Sequence, residues 1–526
     1  MNVMRKICNL MIFAVLFFTG CKDQLLEESK TNLTLVELYS TPQGLQKAMT
    51  GLYILEQRGP RDGAWWDGAE VLSIIGGTDI TVANGGPGNG YRTYDPIEMQ
   101  NGGGVAATIW KYHYSVIGKA NEIIFYGEKM AAEHPEVKSI IAEARYFRAH
   151  SYFWLFRKYD RIWLNTAPTT PENVNQPRDY RPATPAEVYA LLNSDLDYSI
   201  ENINKDARDP GKVTEVLARH IRADVAMWQQ DWSEAITQTE AIFKHTDYAL
   251  VSLDRLFTGA RLDHSEALYV LRSAKGGYDV STNRMQSHFI PWYDKVCGER
   301  SYTNGGWGWG WLYPNDYLFS LYDPAKDQRY AKFYKTEYVV TKVVPGMPPG
   351  TQVGDVVKVT EANKSLYYTA FHPTTTKFVD TWTVSSPDDG WSYKDFMVYR
   401  LAQTYLFAAE AYMRSGDNVN ALKYYNKTWE RAGNTAFAGT VSEQLIMDEQ
   451  ARELGLEGHR WFFLKRIGKL LSQVRLHAGE ENPYTAENYL LPRTNIKDHN
   501  VRWPIPNSEL NVMGKEHFPQ NPGYNP

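Results

Sequence analysis

The chain has 526 residues, 43 % of them hydrophobic and 22 % charged, the balance of a globular protein able to bury a large core. A formal net charge of -5 and a pI near 6.2 leave no electrostatic footing for nucleic acid. The outlier is aromatic content, with 35 Tyr, 20 Phe and 16 Trp; some of these rings fill a core, and Tyr and Trp in such numbers also suit surfaces that need flat, partly polar contact area.

Residues 1–20 read as a secretory signal, with Arg5 and Lys6 ahead of an apolar run from Leu10 to Phe18 that is too short to span a bilayer as a helix. The run ends in Phe18-Thr19-Gly20-Cys21, which resembles a lipobox, so Cys21 is expected to be acylated and to become the mature N-terminus. Several acyl chains on one cysteine anchor stably, because each buried methylene contributes about 0.8 kcal/mol. Cys8 leaves with the signal, and Cys297 is then a lone thiol with no intramolecular disulfide to form.

Beyond a polar tether, helical periodicity begins at Thr41-Pro42, with Leu45, Ala48, Met49, Leu52 and Tyr53 on one face. A Gly-rich aromatic stretch then carries Trp65, Trp66, Asp79, Asn84, Tyr91, Arg92 and Tyr94. Helices are expected over 107–131, 136–159 and 184–203, followed by a tight pair over 213–230 and 232–245. A second irregular stretch, about 246–395, is rich in Gly, Pro, Trp and Tyr, and its alternating run Tyr338 to Val344 suits a hairpin. A second tight pair follows over 398–415 and 418–432, then one helical block over 441–471 and a Pro-rich tail.

The two tight pairs align. Ala223-Asp224-Val225-Ala226-Met227 matches Ala409-Glu410-Ala411-Tyr412-Met413, which places Asp231 on Asp417 and Ala235 on Ala421. Small residues, a polar turn and an alanine where two helices touch are the marks of a tetratricopeptide-like repeat. Ala149 to Phe153 offers a looser third copy. The expected fold is therefore mainly α, a helical-repeat scaffold with large, irregular, partly β insertions.

Four landmarks sharpen this reading: Ala142 to Ala149 with Tyr152; Arg400 to Leu406 leading to Ala409-Glu410-Ala411-Tyr412; Glu449 through Arg452-Glu453-Leu454-Gly455-Leu456-Glu457-Gly458-His459-Arg460-Trp461-Phe462 to Arg466; and Trp503-Pro504-Ile505-Pro506 with Gln520-Asn521-Pro522-Gly523-Tyr524. Together with the lipobox they resemble the SusD/RagB family of outer-membrane nutrient-binding lipoproteins over nearly the whole chain. The resemblance implies about four tetratricopeptide-like helix pairs within 33–58, 107–245 and 396–471. It implies ligand-binding insertions at about 59–106 and 246–395 in a lipoprotein of residues 21–526. It further implies an outer-membrane, outward-facing location and a SusC-like TonB-dependent barrel as partner.

Catalysis is not expected. The sequence holds no H-E-x-x-H, G-x-S-x-G or G-x-x-x-x-G-K. Glu449 with Arg452, and Glu457 with Arg460, are spaced i, i+3 as ion pairs along one helix, and Asp388-Asp389 sits in a turn-forming context. No cofactor is called for, and whether a Ca²⁺ shapes a loop is left open. The residues expected to meet a ligand are the rings: Trp307, Trp309 and Trp311, alternating with glycine and projecting to one side of an extended segment, with Trp65, Trp66, Asp79, Tyr91 and Tyr94 from the first stretch. Sugars present flat C–H faces that stack on such planes, so an oligosaccharide or polysaccharide fragment is the expected ligand. The alternatives are a peptide ligand or a protein-interaction scaffold.

Overall fold

The computed structural model describes residues 38–526 except 59–68, 87, 171, 205–207, 274–283, 482–483, 485–488 and 526. The expected signal over 1–20 and Cys21, together with Trp65 and Trp66, lie outside the described residues.

Ten helices frame the site: α1 Pro42–Arg58, α2 Val105–Met130, α3 Val137–Tyr159, α4 Pro185–Asn202, α5 Glu215–Gln229, α6 Trp232–Ile242, α7 Leu401–Arg414, α8 Asn418–Arg431, α9 Glu443–Leu454 and α10 Arg460–Arg466. They form for local reasons. In α1, Leu45, Met49 and Leu52 recur at helical spacing and are sealed in the main core. A capping box starts α4: Thr184 accepts from the Glu187 amide while the Glu187 carboxylate takes the Thr184 amide, and Pro185 occupies the first turn.

The aligned turns are the same structure twice. Asp231 caps α6 at φ -86, ψ 80, accepting from the Glu234 amide; Asp417 caps α8 at φ -91, ψ 83, accepting from the Asn420 amide. Ala235 and Ala421 are both fully buried where their helices meet the preceding one, since a larger side chain would hold the axes apart. The expectation of a mainly α, repeat-type fold is met.

Among the described residues the intervening segments supply short helices and three two-stranded antiparallel ribbons: β1 Thr81–Ala83 with β3 Leu312–Pro314, β2 Ala267–Leu271 with β6 Phe396–Arg400, and β4 Tyr334–Lys335 with β5 Thr374–Thr375. The β1–β3 ribbon ties the first irregular stretch to the second. The hairpin expected over 338–344 is reduced to one bridge, Val339 with Val356, flanked by bonds from Val340 to Asp355 and from Val357 to Tyr338.

The block expected over 441–471 is broken. Gly455, Leu456 at φ 67 and Gly458 at φ 94 end α9 and turn the chain into α10, and a third helix follows at Leu470–His477. The break changes the ion pairs. Glu449 does pair with Arg452, at 3.0 Å, but Glu457 turns to Arg400 and Lys377, while Arg460 grips Asp79 through Nε and Nη2 at 2.9 and 2.6 Å. The result is a buried lattice: Arg329 holds Asp327, Glu449 and Glu453; Arg400 holds Glu266, Glu453 and Glu457; Arg431 joins Glu266 to Glu453. It clamps the second insertion to α8 and α9.

The C-terminal landmark is a strap. Trp503 donates its amide to the Lys158 carbonyl at 2.7 Å, and Asn521 donates its side-chain amide to the carbonyls of Tyr159 and Trp503. The Lys158 ammonium lies 3.5 Å from the Trp461 ring and 4.2 Å from that of Trp503, a cation–π cage whose burial holds its pKa well below the usual lysine value.

Candidate functional site

Glycine sets the geometry of the Trp307–Trp311 segment, though not by baring the rings. A Cβ on Gly308 would lie 1.9 Å from the Ile290 carbonyl oxygen, and one on Gly310 would lie 2.6 Å from His372 Nε2. The glycines let this segment press against residues 287–291, where the amides of Trp309 and Trp311 bond to the carbonyls of Ser287 and His288 at 2.6 and 2.8 Å. With the glycine side occupied, the indoles leave on the other side. Trp309 and Trp311 stack with centroids 4.4 Å apart and planes within 11°, and Trp307 stands edge-on to Trp309 at 5.5 Å. All three are half-buried.

The packing occupies much of the ring surface, and His288 stacks on Trp311 with centroids 5.2 Å apart and planes within 19°. Gly86 lies so close under Trp311 that a Cβ there would be 2.4 Å from the ring, and Gly390 lies under Trp307 in the same way, at 1.9 Å. The guanidinium of Arg284 sits 5.0 Å from Trp309 and 3.8 Å from Trp391, which extends the stack to a fourth indole. Arg300 lies 5.4 Å from Trp307 and pairs with Asp388. Tyr302 donates to the Val384 carbonyl at 3.3 Å, joining the segment around 300–311 to the loop over 380–391.

The two rings most open to solvent here are on this seam: Trp382 at 48 % and Tyr302 at 41 %. Asp380 holds the Trp382 loop by accepting from the amides of Trp382 and Thr383 and from the Ser392 hydroxyl. Asp389 holds the turn before Trp391 by accepting its amide at 3.0 Å. The acidic pair Asp388-Asp389 thus builds a turn, as expected. The composite is a row of indoles bordered by two arginines and two open rings, able to stack on flat apolar faces and to donate hydrogen bonds to hydroxyl oxygens.

The first stretch contributes differently from expectation. Asp79 is fully buried and spent on Arg460. Tyr91 and Tyr94 are 2 % and 1 % exposed, their hydroxyls given to the carbonyls of Gly103 and Gly77. A ligand on the surface reaches none of the three, and they are withdrawn from the binding set, because folding the first insertion onto α2 and α10 needs them. Asn84 instead braces the site from behind, donating to the carbonyls of Gly310 and Tyr368 at 3.0 and 2.7 Å. Arg284, Arg300, Tyr302, Trp382 and Trp391 were not singled out from the sequence. Trp391 had a signal, since Gly390-Trp391 repeats the Gly306-Trp307 step; the arginines had none, because only folding brings them over the rings.

Among the described residues no group of three or more His, Cys, Asp or Glu is arranged to hold a metal ion, and no helix is long and apolar enough to cross a membrane.

Residues 265–524 match the SusD family model. SusD-like protein P2 of Formosa agariphila is 22 % identical over 99 % of this chain and 100 % of its own. The starch-binding protein SusD of Bacteroides thetaiotaomicron is 32 % identical over 130 residues, 25 % of this chain and 22 % of its own. Among solved structures, a laminarin-binding SusD-like protein superposes with a TM-score of 0.69 at 20 % identity, covering 92 % of this chain and 100 % of its own; at that identity the likeness speaks for the fold.

Proposed function

Because the chain is SusD-like, we propose that it is a cell-surface lipoprotein, anchored through Cys21, that captures a fragment of an oligosaccharide or polysaccharide on its indole row and hands it to a SusC-like TonB-dependent barrel in the outer membrane. The observation that carries this reading is the composite of Trp307, Trp309, Trp311 and Trp391 with Arg284 and Arg300 beside them, flanked by the open rings of Tyr302 and Trp382. Sugar C–H faces stack on rings, and guanidinium groups bond hydroxyl oxygens without giving the site acid–base chemistry. By analogy with aromatic pairs, each stack adds about 0.5–1.5 kcal/mol beyond its burial, so a few make a reversible hold. Binding without turnover suits a chain that passes its ligand on, and the buried carboxylates around Arg400 are fully engaged in ion pairs.

The test is a glycan-array screen followed by calorimetric titration of the best ligand. Alanine at Trp382 and at Trp309 should each weaken binding about three- to tenfold, the range of one lost stack, and the exposed Trp382 should do so without changing thermal unfolding. Undiminished affinity in both variants rules out this face as the site. Binding to a peptide library with none to glycans would move the ligand class to peptides.

A further inference from the structure

A chamber of about 160 Å³ lies where the helix pairs meet the β2–β6 ribbon, and it shares no lining residue with the aromatic face. Its wall draws on α1, α2, α3, α5, α7, α9 and α10 and on both strands, so only the completed fold creates it. Rings dominate, Tyr112, Trp154, Trp228, Tyr399 and Phe462 among them. An apolar cavity of about 150 Å³ is known to stay dry and to admit benzene, which sets the size class of any occupant.

The wall is not wholly apolar. His113 lies flat on Trp154, centroids 4.8 Å apart, and is 6 % exposed, with no hydrogen-bond partner for Nδ1. Gln450, 4 % exposed, gives its carbonyl oxygen to Arg460 and has no partner for Nε2. The charged groups of the wall are paired: Arg157 with Asp224, Arg466 with Glu410, and Glu457 with Arg400 and Lys377 behind it. Glu56 accepts the Tyr112 hydroxyl at 2.6 Å, and burial pushes its pKa up to about 7, while burial lowers His150 to about 3 and His459 to about 4. With its charged groups paired and Glu56 protonated below about pH 7, the chamber presents no unpaired charge there, and Nδ1 of His113 and Nε2 of Gln450 are too enclosed to meet an occupant. An ion entering it would lose hydration without compensation, and the many hydroxyls of a sugar would lack partners.

We propose that this chamber is a second binding site, taking one small, uncharged, planar molecule, roughly ten non-hydrogen atoms in all by the cavity's size. The site is independent of the glycan reading.

Benzamide, benzoate and glucose serve as probes, titrated against the purified protein by saturation-transfer NMR and soaked into crystals. Benzamide should occupy the chamber, with benzoate and glucose at least tenfold weaker. Val398→Trp, which fills the chamber from β6, should weaken benzamide at least tenfold and leave glycan binding intact; Trp309→Ala should leave benzamide binding intact and weaken the glycan about three- to tenfold. If Val398→Trp does not fold, Leu271→Trp fills the same space from β2, and the crystal soak decides by itself. Crystals that show only water in the chamber at saturating benzamide, or a titration unmoved by a folded filling variant, overturn the proposal.

Discussion

Glu56 shows how far a single side chain departs from its solution behaviour. It is 8 % exposed, and burial lifts its carboxyl from an ordinary value of 4.5 to about 7, with the Tyr112 hydrogen bond working against the rise. The folded state therefore holds this proton more tightly than the unfolded chain. Its contribution to stability is complete below pH 4.5 and is lost as pH rises through 7, by about 3 kcal/mol at most. Glu56→Gln keeps an acceptor for Tyr112 and removes the charge. Urea unfolding should show the variant more stable than the parent at pH 8.5 and nearly equal to it at pH 4.5. The parent must be compared at each pH, because His150, 4.0 Å away and held neutral by burial, costs stability as pH falls below 6.5. Equal differences at both pH values would show that Glu56 does not titrate this way. Gly308 is the other residue where one atom decides: with the Ile290 oxygen 1.9 Å from any added Cβ, Gly308→Ala must move the indole segment. Calorimetry should find glycan affinity reduced more than tenfold with the helical circular dichroism unchanged.

At the scale of elements, the repeat is written in its turns. Asp231 and Asp417 occupy nearly the same backbone conformation and cap the second helix of their pairs in the same way. Losing such a cap costs about 1 kcal/mol, so Asp231→Ala and Asp417→Ala should lower stability by similar amounts in urea titrations. A cost at one turn and none at the other would deny that the turns are equivalent. The turns differ where the chain enters them: Gly416 takes φ 80 without penalty, and Gln230 takes φ 60, the left-handed region that glycine tolerates best. The helix breaks after Leu454 show why periodicity misled over 441–471. Apolar spacing persists through Leu456, Trp461 and Phe462, but Gly455 and Gly458 allow a turn, and the turn is what points Glu457 at Arg400 and Arg460 at Asp79.

Across the whole molecule, that redirection joins parts far apart in the chain. Arg400, 1 % exposed in its side chain, meets Glu266, Glu453 and Glu457, while Arg460 reaches back 381 positions to Asp79. Removing one partner from such a lattice leaves buried charge uncompensated, so Arg400→Met should cost about 3–5 kcal/mol in chemical denaturation. A loss under 1 kcal/mol would mean that water reaches these carboxylates. The lattice ties the second insertion to α8 and α9 through Glu266 and Arg329, and a frame tied in this way fixes the spacing of the rings it presents.

The sequence by itself determined the helices, the repeated turns and the alternation of Trp307, Trp309 and Trp311, because these depend on residues within a few positions of one another. It also carried landmarks that resemble the SusD family, whose model matches residues 265–524. Only the tertiary structure decided that Asp79, Tyr91 and Tyr94 are interior, that the glycines serve close packing, and that Arg284, Trp382 and Trp391 join the indole row. Burial and charge pairing are properties of segments brought together from hundreds of positions apart, and no local pattern records which face of a ring or which side of a carboxylate the distant partner will cover.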